Sequence, residues 1–467
     1  MMRAETTRTA WMGVLDKYHE ERNAPVSSLY WSEKDIWSRD RTRAVQDEKI
    51  AAVAPFLYEN SAFYRRRFDR LGVAPTDLHS VDSLIANWPV VTKQEMMEDA
   101  IAHPPFGTYT ACGAAEWADR GWMHFSSSGS TGVPRVFRYT HFDRKFWEQA
   151  NARALHSGGL RKGDTILPMV GFGPHVFAWG VQYTAAAMRL PVIPGGGMDG
   201  KARVGLIERF KPSVLLCTPS YALYLGRVMQ EMGLDPAASS VKWLLTGGEP
   251  FSGVAGTVER LQDLWGAMSV EFYGCTEASP HCGGYSCPEY QAGDENFIHL
   301  MEDIQVWETV DPDTLTPVPL REKGLTVCTN LNSESSPQLR FLVGDYTRLD
   351  DSPCSCGRHH IKAVGCMTGR ADDLVNLRGI KFFPVQIEEA VRAVPGTGDE
   401  FQIRLTTQPD GMDVMEVLVE HSTDVADAVA REIRSRCEIR CNVRVLAPNT
   451  LPKTEMKARR VFDERRK

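Results

Sequence analysis

The strongest chemical signal in the 467-residue chain is FSSSGSTGVPRVFRYT, residues 125–140. Ser126, Ser127, Ser128, Ser130 and Thr131 surround Gly129 and Gly132. Glycines let the backbone approach an anion with successive N–H groups exposed, and hydroxyls add donors, so such a loop cradles a polyphosphate. The competing reading is a polar surface loop. It is not a Walker A loop, because GxxxxGK[ST] is absent. A second cluster, GGGMDG at 195–200, satisfies GxGxxG. A dinucleotide fold also needs an acid at the end of the next strand; here that strand is SVLLC, followed by TPSY, so a nicotinamide or flavin site is set aside. Cys354 and Cys356 form a short thiol pair, with Cys287 and several histidines upstream. The segment GFGPHVFAWG (171–180) carries Phe172, His175, Phe177 and Trp179, an aromatic set that suits a flat ligand but equally suits core packing.

These residues need elements to position them. The short apolar runs TILPMV (165–170), SVLLC (213–217), KWLLT (242–246) and SVEFY (269–273) read as buried strands. The amphipathic stretches KARVGLIERF (201–210) and YALYLGRVMQEMG (221–233) read as the helices between them. This alternation predicts an α/β fold with a parallel sheet covered by helices. Residues 1–110 read as mostly helical, with helical spacing from Asp47 to Leu71, and residues 325–350 as shorter β structure in a different sheet. From 373 the pattern changes to LVNLRGIKFFP, a helix (VQIEEAVRAV), an alternating strand (MDVMEVLVE), a further helix (DVADAVAREIRSRC) and a basic tail. We therefore expect a large domain over 1–371 and a small α+β domain over 372–467.

Composition narrows the function classes. Lys plus Arg number 53 and Asp plus Glu 60, a net charge of −7, which disfavours a nucleic-acid binder. No run approaches the roughly 20 apolar residues of a membrane helix, and the N-terminal residues lack a secretion-type apolar core, so the expected location is the cytoplasm. Eleven cysteines in a chain of this length do not make a disulfide scaffold. We expect Cys112, Cys217, Cys328, Cys366, Cys437 and Cys441 to be core thiols.

In order along the chain, FYRRRFDRLGV (63–73), WPVVTKQEMMED (88–99), SSGSTGVPRVFRYT, CTPSYALYL (217–225), TGGEPFS (246–252), YGCTE (273–277), LRFLVGDYTRL (339–349), CSCGRHH (354–360), GRADDLVNLRGIKFFPVQIEE (369–389) and LPKTEMKARRV (451–461) resemble the AMP-forming adenylating enzymes. That superfamily includes acyl-CoA synthetases, adenylation domains and luciferases, and the closer resemblance is to the phenylacetate-CoA ligase branch. The resemblance implies that Ser127, Ser128, Gly129, Ser130, Thr131 and Gly132 grip the phosphates of ATP. Gly247, Gly248, Glu249 and Pro250 would form the turn beside adenine, and Tyr273, followed by Gly274, would stack on its face. Thr276 would reach the α-phosphate, Glu277 would hold Mg²⁺, Asp345 would take the ribose hydroxyls and Arg370 would support ribose and phosphate. Lys457 matches the catalytic lysine of the small domain, with Lys453 as the fallback. The chain departs from the family at Met456, where glycine is usual, and at Arg135, where the superfamily has lysine and the branch often has a small polar residue.

The resemblance further implies an acid attacking the α-phosphorus of ATP to give acyl-AMP, then a thiol taking the acyl group as AMP leaves. The small domain would rotate between steps about Asp372, and Gly379 would line the pantetheine tunnel. No Ser-His-Asp arrangement is expected. Cys287, His299, Cys354 and Cys356 match the structural zinc ligands of some members, with His281 and Cys282 as rivals, and three thiolates with one imidazole suit a closed tetrahedral Zn²⁺ site. The expected activity is an ATP-dependent, AMP-forming aryl- or arylacetate-CoA ligase using ATP, Mg²⁺ and coenzyme A. Its pocket is expected from Phe172, His175, Phe177 and Trp179. The alternatives are loading of an aromatic acid onto a carrier-protein phosphopantetheine or an amine, and an inactive nucleotide- or zinc-binding protein. A homodimer is the oligomeric state that the resemblance implies.

Overall fold

The structure is a computed structural model. It describes residues 2–126, 135–254, 256–278, 282–293, 295–378, 380–409, 412–452 and 460–465. The four apolar runs form the strands Ile166–Pro168, Val214–Cys217, Trp243–Thr246 and Met268–Tyr273, paired in parallel in that order. Successive residues enter opposite cores. Val214 and Leu216 pack with Ile166, Leu245 and Val270, whereas Leu215 and Cys217 pack with Leu167 and Leu244. Burial on both faces explains why these strands are unbroken apolar runs rather than alternating ones.

The intervening helices start where local chemistry directs. The Asp199 carboxylate accepts from the Ala202 N–H at 2.8 Å and opens Gly200–Phe210. The Thr218 hydroxyl accepts from the Tyr221 N–H, and Pro219 at the first helical position needs no partner for an N–H, so Pro219–Glu231 starts there.

One expectation is corrected. Residues 325–350 do not build a different sheet. The strands Lys323–Asn330 and the 13-residue Gln338–Asp350 join the parallel strands in one ten-stranded mixed sheet. The link is Gly284–Tyr285, which pairs antiparallel with Met268–Tyr273, followed by Phe297–Leu300 and Lys362–Val364. A two-residue strand left no periodicity to read. The helical pattern over 47–71 is two helices, Arg39–Asn60 and Ala62–Leu71. Ser61 breaks it by adopting an extended conformation, its hydroxyl accepting from Tyr64 N and donating to Thr108 O.

After residue 370 a one-turn helix, Ala371–Asp373, leads to the hairpin Val375–Leu377/Ile380–Phe382. A four-stranded sheet of Phe401–Thr407, Asp413–Glu420, Asn442–Leu446 and Val461–Asp463 follows, packed on the helices Pro384–Arg392 and Ala426–Cys437 with its own core. Among the described residues no helix is long and apolar enough to cross a membrane.

A buried ionic node ties the N-terminal segment to the sheet. Arg153, on the helix His141–Ser157, donates to Asp35 and Asp303 at 2.7 Å each and lies 2.8 Å from His360 Nε2. Burial alone would raise the Asp303 carboxyl; Arg153 foremost, with Lys34, reverses this and holds it well below the usual carboxylate range. A depressed carboxylate stabilises the fold above its unfolded pKa of about 4 and loses that contribution as pH falls. Replacing Arg153 by Met strands two buried carboxylates, and we expect a loss of about 3–5 kcal/mol in urea unfolding at neutral pH, shrinking in acid. An unchanged midpoint would contradict this account of the node.

Candidate active site

The site gathers where the parallel strands end. Strand ends on one edge of an open α/β sheet leave a crevice that elements cannot fill, which is where such sheets bind ligands. Three of the segments singled out above leave the sheet there: 217–220, the 246–250 turn and the 273–277 turn. The Gly247 N–H donates to Cys217 O at 3.3 Å, and the Glu249 carboxylate accepts from Ser220 N at 3.2 Å, so the first two turns are tied together. A Cβ on Gly247 would lie 2.5 Å from Phe272 O and 3.0 Å from the Phe177 ring, and Gly248 has φ +82°. Only glycine fits that pair of positions without distortion.

Tyr273, Asp345 and Arg370 converge. Tyr273 Oη donates to Asp345 Oδ2 at 2.7 Å, and Arg370 Nη1 lies 3.5 Å from Asp345 Oδ1. Asp345 and Arg370 also form a backbone bridge, so the connection to the C-terminal domain begins at the carboxylate. Burial, then the Asp345 charge, raises the Tyr273 hydroxyl well above its ordinary value, so it stays a donor. Asp345 itself is 7% exposed.

The serine-glycine segment joins two antiparallel strands, Gly121–Ser126 and Val136–Thr140, with Ser126 paired to Val136 at its base. Its core, Ser127, Ser128, Gly129, Ser130, Thr131 and Gly132, lies outside the described residues, as do His281, Gly379, Lys453 and Lys457. Both flanks of the loop reach the site. Ser126 N–H donates to Pro174 O at 2.8 Å. Arg135 Nη2 donates to Glu277 Oε1 at 2.7 Å. The Thr276 carbonyl accepts from Tyr139 Oη. Glu277, the residue expected to hold Mg²⁺, thus already carries a guanidinium; a hard cation would have to share or replace that contact. Sequence reasoning noted Arg135 but not this pair. Asp372 falls in the one-turn helix after Arg370. Burial pushes the Cys275 thiol up to about 12, so it is no nucleophile at neutral pH.

The aromatic segment divides. Phe172 and Trp179 meet edge to face at 5.1 Å, and Trp179 continues to Tyr183 at 6.5 Å and on to Trp122, whose indole N–H reaches Tyr183 Oη at 3.4 Å. Phe177 turns instead to Phe272 and the Gly247 turn, where it supports the backbone. His175 is exposed at the start of the helix Val176–Met188. Trp122 and Tyr183 escaped the sequence reading, although Tyr183 stands four residues after Trp179 on one helix face.

Apart from this site, Cys287, His299, Cys354 and Cys356 assemble with their donor atoms all within 4.8 Å of one another. Cys287 Sγ is 4.0 Å from Cys354 Sγ, and Cys356 Sγ is 3.4 Å from His299 Nε2. A tetrahedral zinc with bonds of about 2.3 Å to sulfur and 2.0–2.1 Å to nitrogen places donors about 3.5–3.8 Å apart, so the set fits that ion. His299 Nδ1 sits 2.9 Å from His360 O, an arrangement that directs Nε2 to the thiols. The rival Cys282 instead lies in the core, 3.5 Å from Gly284 O.

The AMP-binding enzyme family matches residues 118–329, and the AMP-binding enzyme C-terminal domain matches residues 379–465. The phenylacetate-coenzyme A ligase of Thermus thermophilus is 30% identical, over 94% of this chain and 100% of that protein. The phenylacetate-coenzyme A ligase of Aromatoleum evansii is 31% identical, over 92% and 96%. The crystal structure of 2-hydroxyisobutyryl-CoA ligase in the postadenylation state with 2-HIB-AMP superposes with a TM-score of 0.86 at 27% identity, over 94% of this chain and 93% of that one. The same ligase in the thioesterification state, with 2-HIB-AMP and CoA, gives 0.71 at 28% identity, over 94% of both chains. The whole-chain superposition is thus the better on the postadenylation structure. From its order of motifs, its sheet and its relatives, the chain belongs to the phenylacetate-CoA ligase family of AMP-binding enzymes, the AMP-forming acid–CoA ligases.

Proposed function

We propose that this ligase activates an aromatic acid, aryl or arylacetic, as its acyl-adenylate and transfers the acyl group to the thiol of coenzyme A. The observation that carries the reading is the convergence of Tyr273, Asp345 and Arg370 at the strand ends. The loop flanks meet Thr276 and Glu277 on the adjoining turn, and an aromatic row starts at Phe172 and Trp179. Together these supply a sugar acceptor, a phosphate cradle and a flat slot.

The chemistry follows from what a carboxylate lacks. It is a poor acyl donor because its leaving group would be oxide. Attack of its oxygen on the α-phosphorus of ATP expels pyrophosphate and leaves acyl-AMP. The thiolate of CoA then attacks the acyl carbon, and AMP departs. In this reading Ser127, Ser128, Gly129, Ser130, Thr131 and Gly132 donate to the phosphates, Thr276 reaches the α-phosphate, and Lys457 offsets charge developing between carboxylate and phosphorus. The turn from Gly247 to Pro250 flanks adenine, with Tyr273 and Gly274 on its face. Asp345 accepts from the ribose hydroxyls, with Arg370 beside it. Mg²⁺ on Glu277 would neutralise phosphate charge when bound. We place the domain boundary at 371/372, the hinge at Asp372 and the pantetheine path at Gly379. Phe172 and Trp179, extended by Tyr183 and Trp122, line the acid slot; Phe177 backs it, and exposed His175 marks its mouth. Zinc on Cys287, His299, Cys354 and Cys356 is structural, because four protein donors leave it no open position.

Four outcomes check this reading. Asp345→Asn removes a charged acceptor, so kcat/KM for ATP in acid-dependent ATP–pyrophosphate exchange falls about 10- to 100-fold; an unchanged value would remove Asp345 from the nucleotide site. Across phenylacetate, substituted benzoates and small aliphatic acids, pyrophosphate release and CoA thioester formation favour the aromatic acids. Phe172→Ala raises their KM about tenfold without moving that for ATP; an unaltered ranking would reject the slot. Elemental analysis finds one zinc per chain in the wild type and none in the Cys354→Ser/Cys356→Ser double variant, whose melting temperature drops. A metal-free wild type of equal stability would contradict the zinc assignment.

A further inference from the structure

One ionic cluster joins the large domain to the small one away from the nucleotide site. Arg227 belongs to the helix Pro219–Glu231 and Arg260 to its neighbour Thr257–Trp265; the two helices are fastened by Trp265 Nε1 donating to Ala222 O at 3.0 Å. Both guanidiniums reach one carboxylate of the small domain. Arg227 Nε lies 2.7 Å from Asp399 Oδ2, and Arg260 Nη2 contacts Asp399 Oδ1. Arg227 is also 3.9 Å from Glu400, whose second oxygen pairs with Arg460 at 2.9 Å.

The turn that carries these acids is rigidly part of the small domain. Arg392 donates to the carbonyls of Gly398 and Asp399 at 2.9 and 2.8 Å, and Gly398 N–H donates to Glu420 O. The carboxylate side chains are only 10% and 7% exposed, so solvent screens the cluster poorly. Burial, then Arg392 and Arg227, lower the Arg260 guanidinium to about 10, a sign of cations gathered around few acids.

A rigid turn cannot keep both contacts when its domain rotates against the two helices. The chain here has the arrangement nearer the postadenylation form, and this cluster bridges the two domains in it. We propose that Arg227 and Arg260, by gripping Asp399, are positioning residues that hold the small domain in the postadenylation arrangement, and that thioester formation requires the grip to open. The proposal rests on the two-step reading above for its kinetic consequence, but its structural consequence stands without it. The residues touch neither nucleotide nor acid in that reading, so they set the balance between half-reactions rather than the chemistry of either.

The test uses the full-length chain with Asp399→Asn and, separately, Arg227→Lys/Arg260→Lys, which keeps the charges but not the reach and shape of the guanidiniums. Size-exclusion-coupled small-angle scattering of the unliganded proteins reads the domain arrangement directly. The expected result is a wild-type curve matching the compact arrangement described here and an altered curve for Asp399→Asn, with the Lys/Lys variant between them. In the kinetic arm, Asp399→Asn lowers ATP–pyrophosphate exchange several-fold, while thioester formation from supplied acyl-adenylate and CoA is equal or faster. Thermal melts of each variant identify loss of folding, and any folded variant carries the test. Identical scattering for wild type and Asp399→Asn would overturn the proposal, as would an equal fall in both half-reactions. If the wild type makes no acyl-adenylate from any acid, the functional reading fails, and the scattering still decides the grip.

Discussion

A carboxylate withdrawn from water at the junction of two half-sheets organises this enzyme. Asp345 lies on the longest strand of the antiparallel half, Tyr273 ends the last parallel strand, and Arg370 begins the passage to the small domain. An uncompensated buried carboxylate is costly, so the hydroxyl, the guanidinium and the sheet must close around it. Once they do, the 246–250 turn, the 273–277 turn and the base of the serine-glycine loop have fixed places beside one another.

Support for that junction comes from groups without chemistry of their own. Phe177 and Phe272 press against Gly247 and make any larger residue there untenable. Arg153 ties Asp35 and Asp303 together and touches His360, whose carbonyl in turn orients His299 among three cysteines. The cysteine cluster thus pins the segment after the long strand to the sheet. On the other side, Asp399 and Glu400 of the small domain meet Arg227 in an ionic cluster.

Much of this was legible in the chain. The parallel strands are buried on both faces, so their composition alone marked them. The resemblance placed Tyr273, Asp345, Arg370 and the cluster of Cys287, His299, Cys354 and Cys356, and each set converges in space. What escaped depended on tertiary pairing. Gly284–Tyr285 is too short to show a period, yet it fuses the two half-sheets. The Ser61 break follows from a hydroxyl that meets Thr108, 47 residues away. The Arg135–Glu277 pair spans 142 residues and cannot be read from spacing. Trp122 and Tyr183 gain meaning only when strand and helix lie side by side.

The central claim is that the crevice at the strand ends holds an acyl-adenylate. Calorimetric titration of the intact protein with a non-hydrolysable sulfamoyl analogue of phenylacetyl-adenylate measures this most directly. The account predicts one tight site per chain, with competition from ATP. Absence of binding heat from a folded protein, or binding that ATP does not displace, would contradict it.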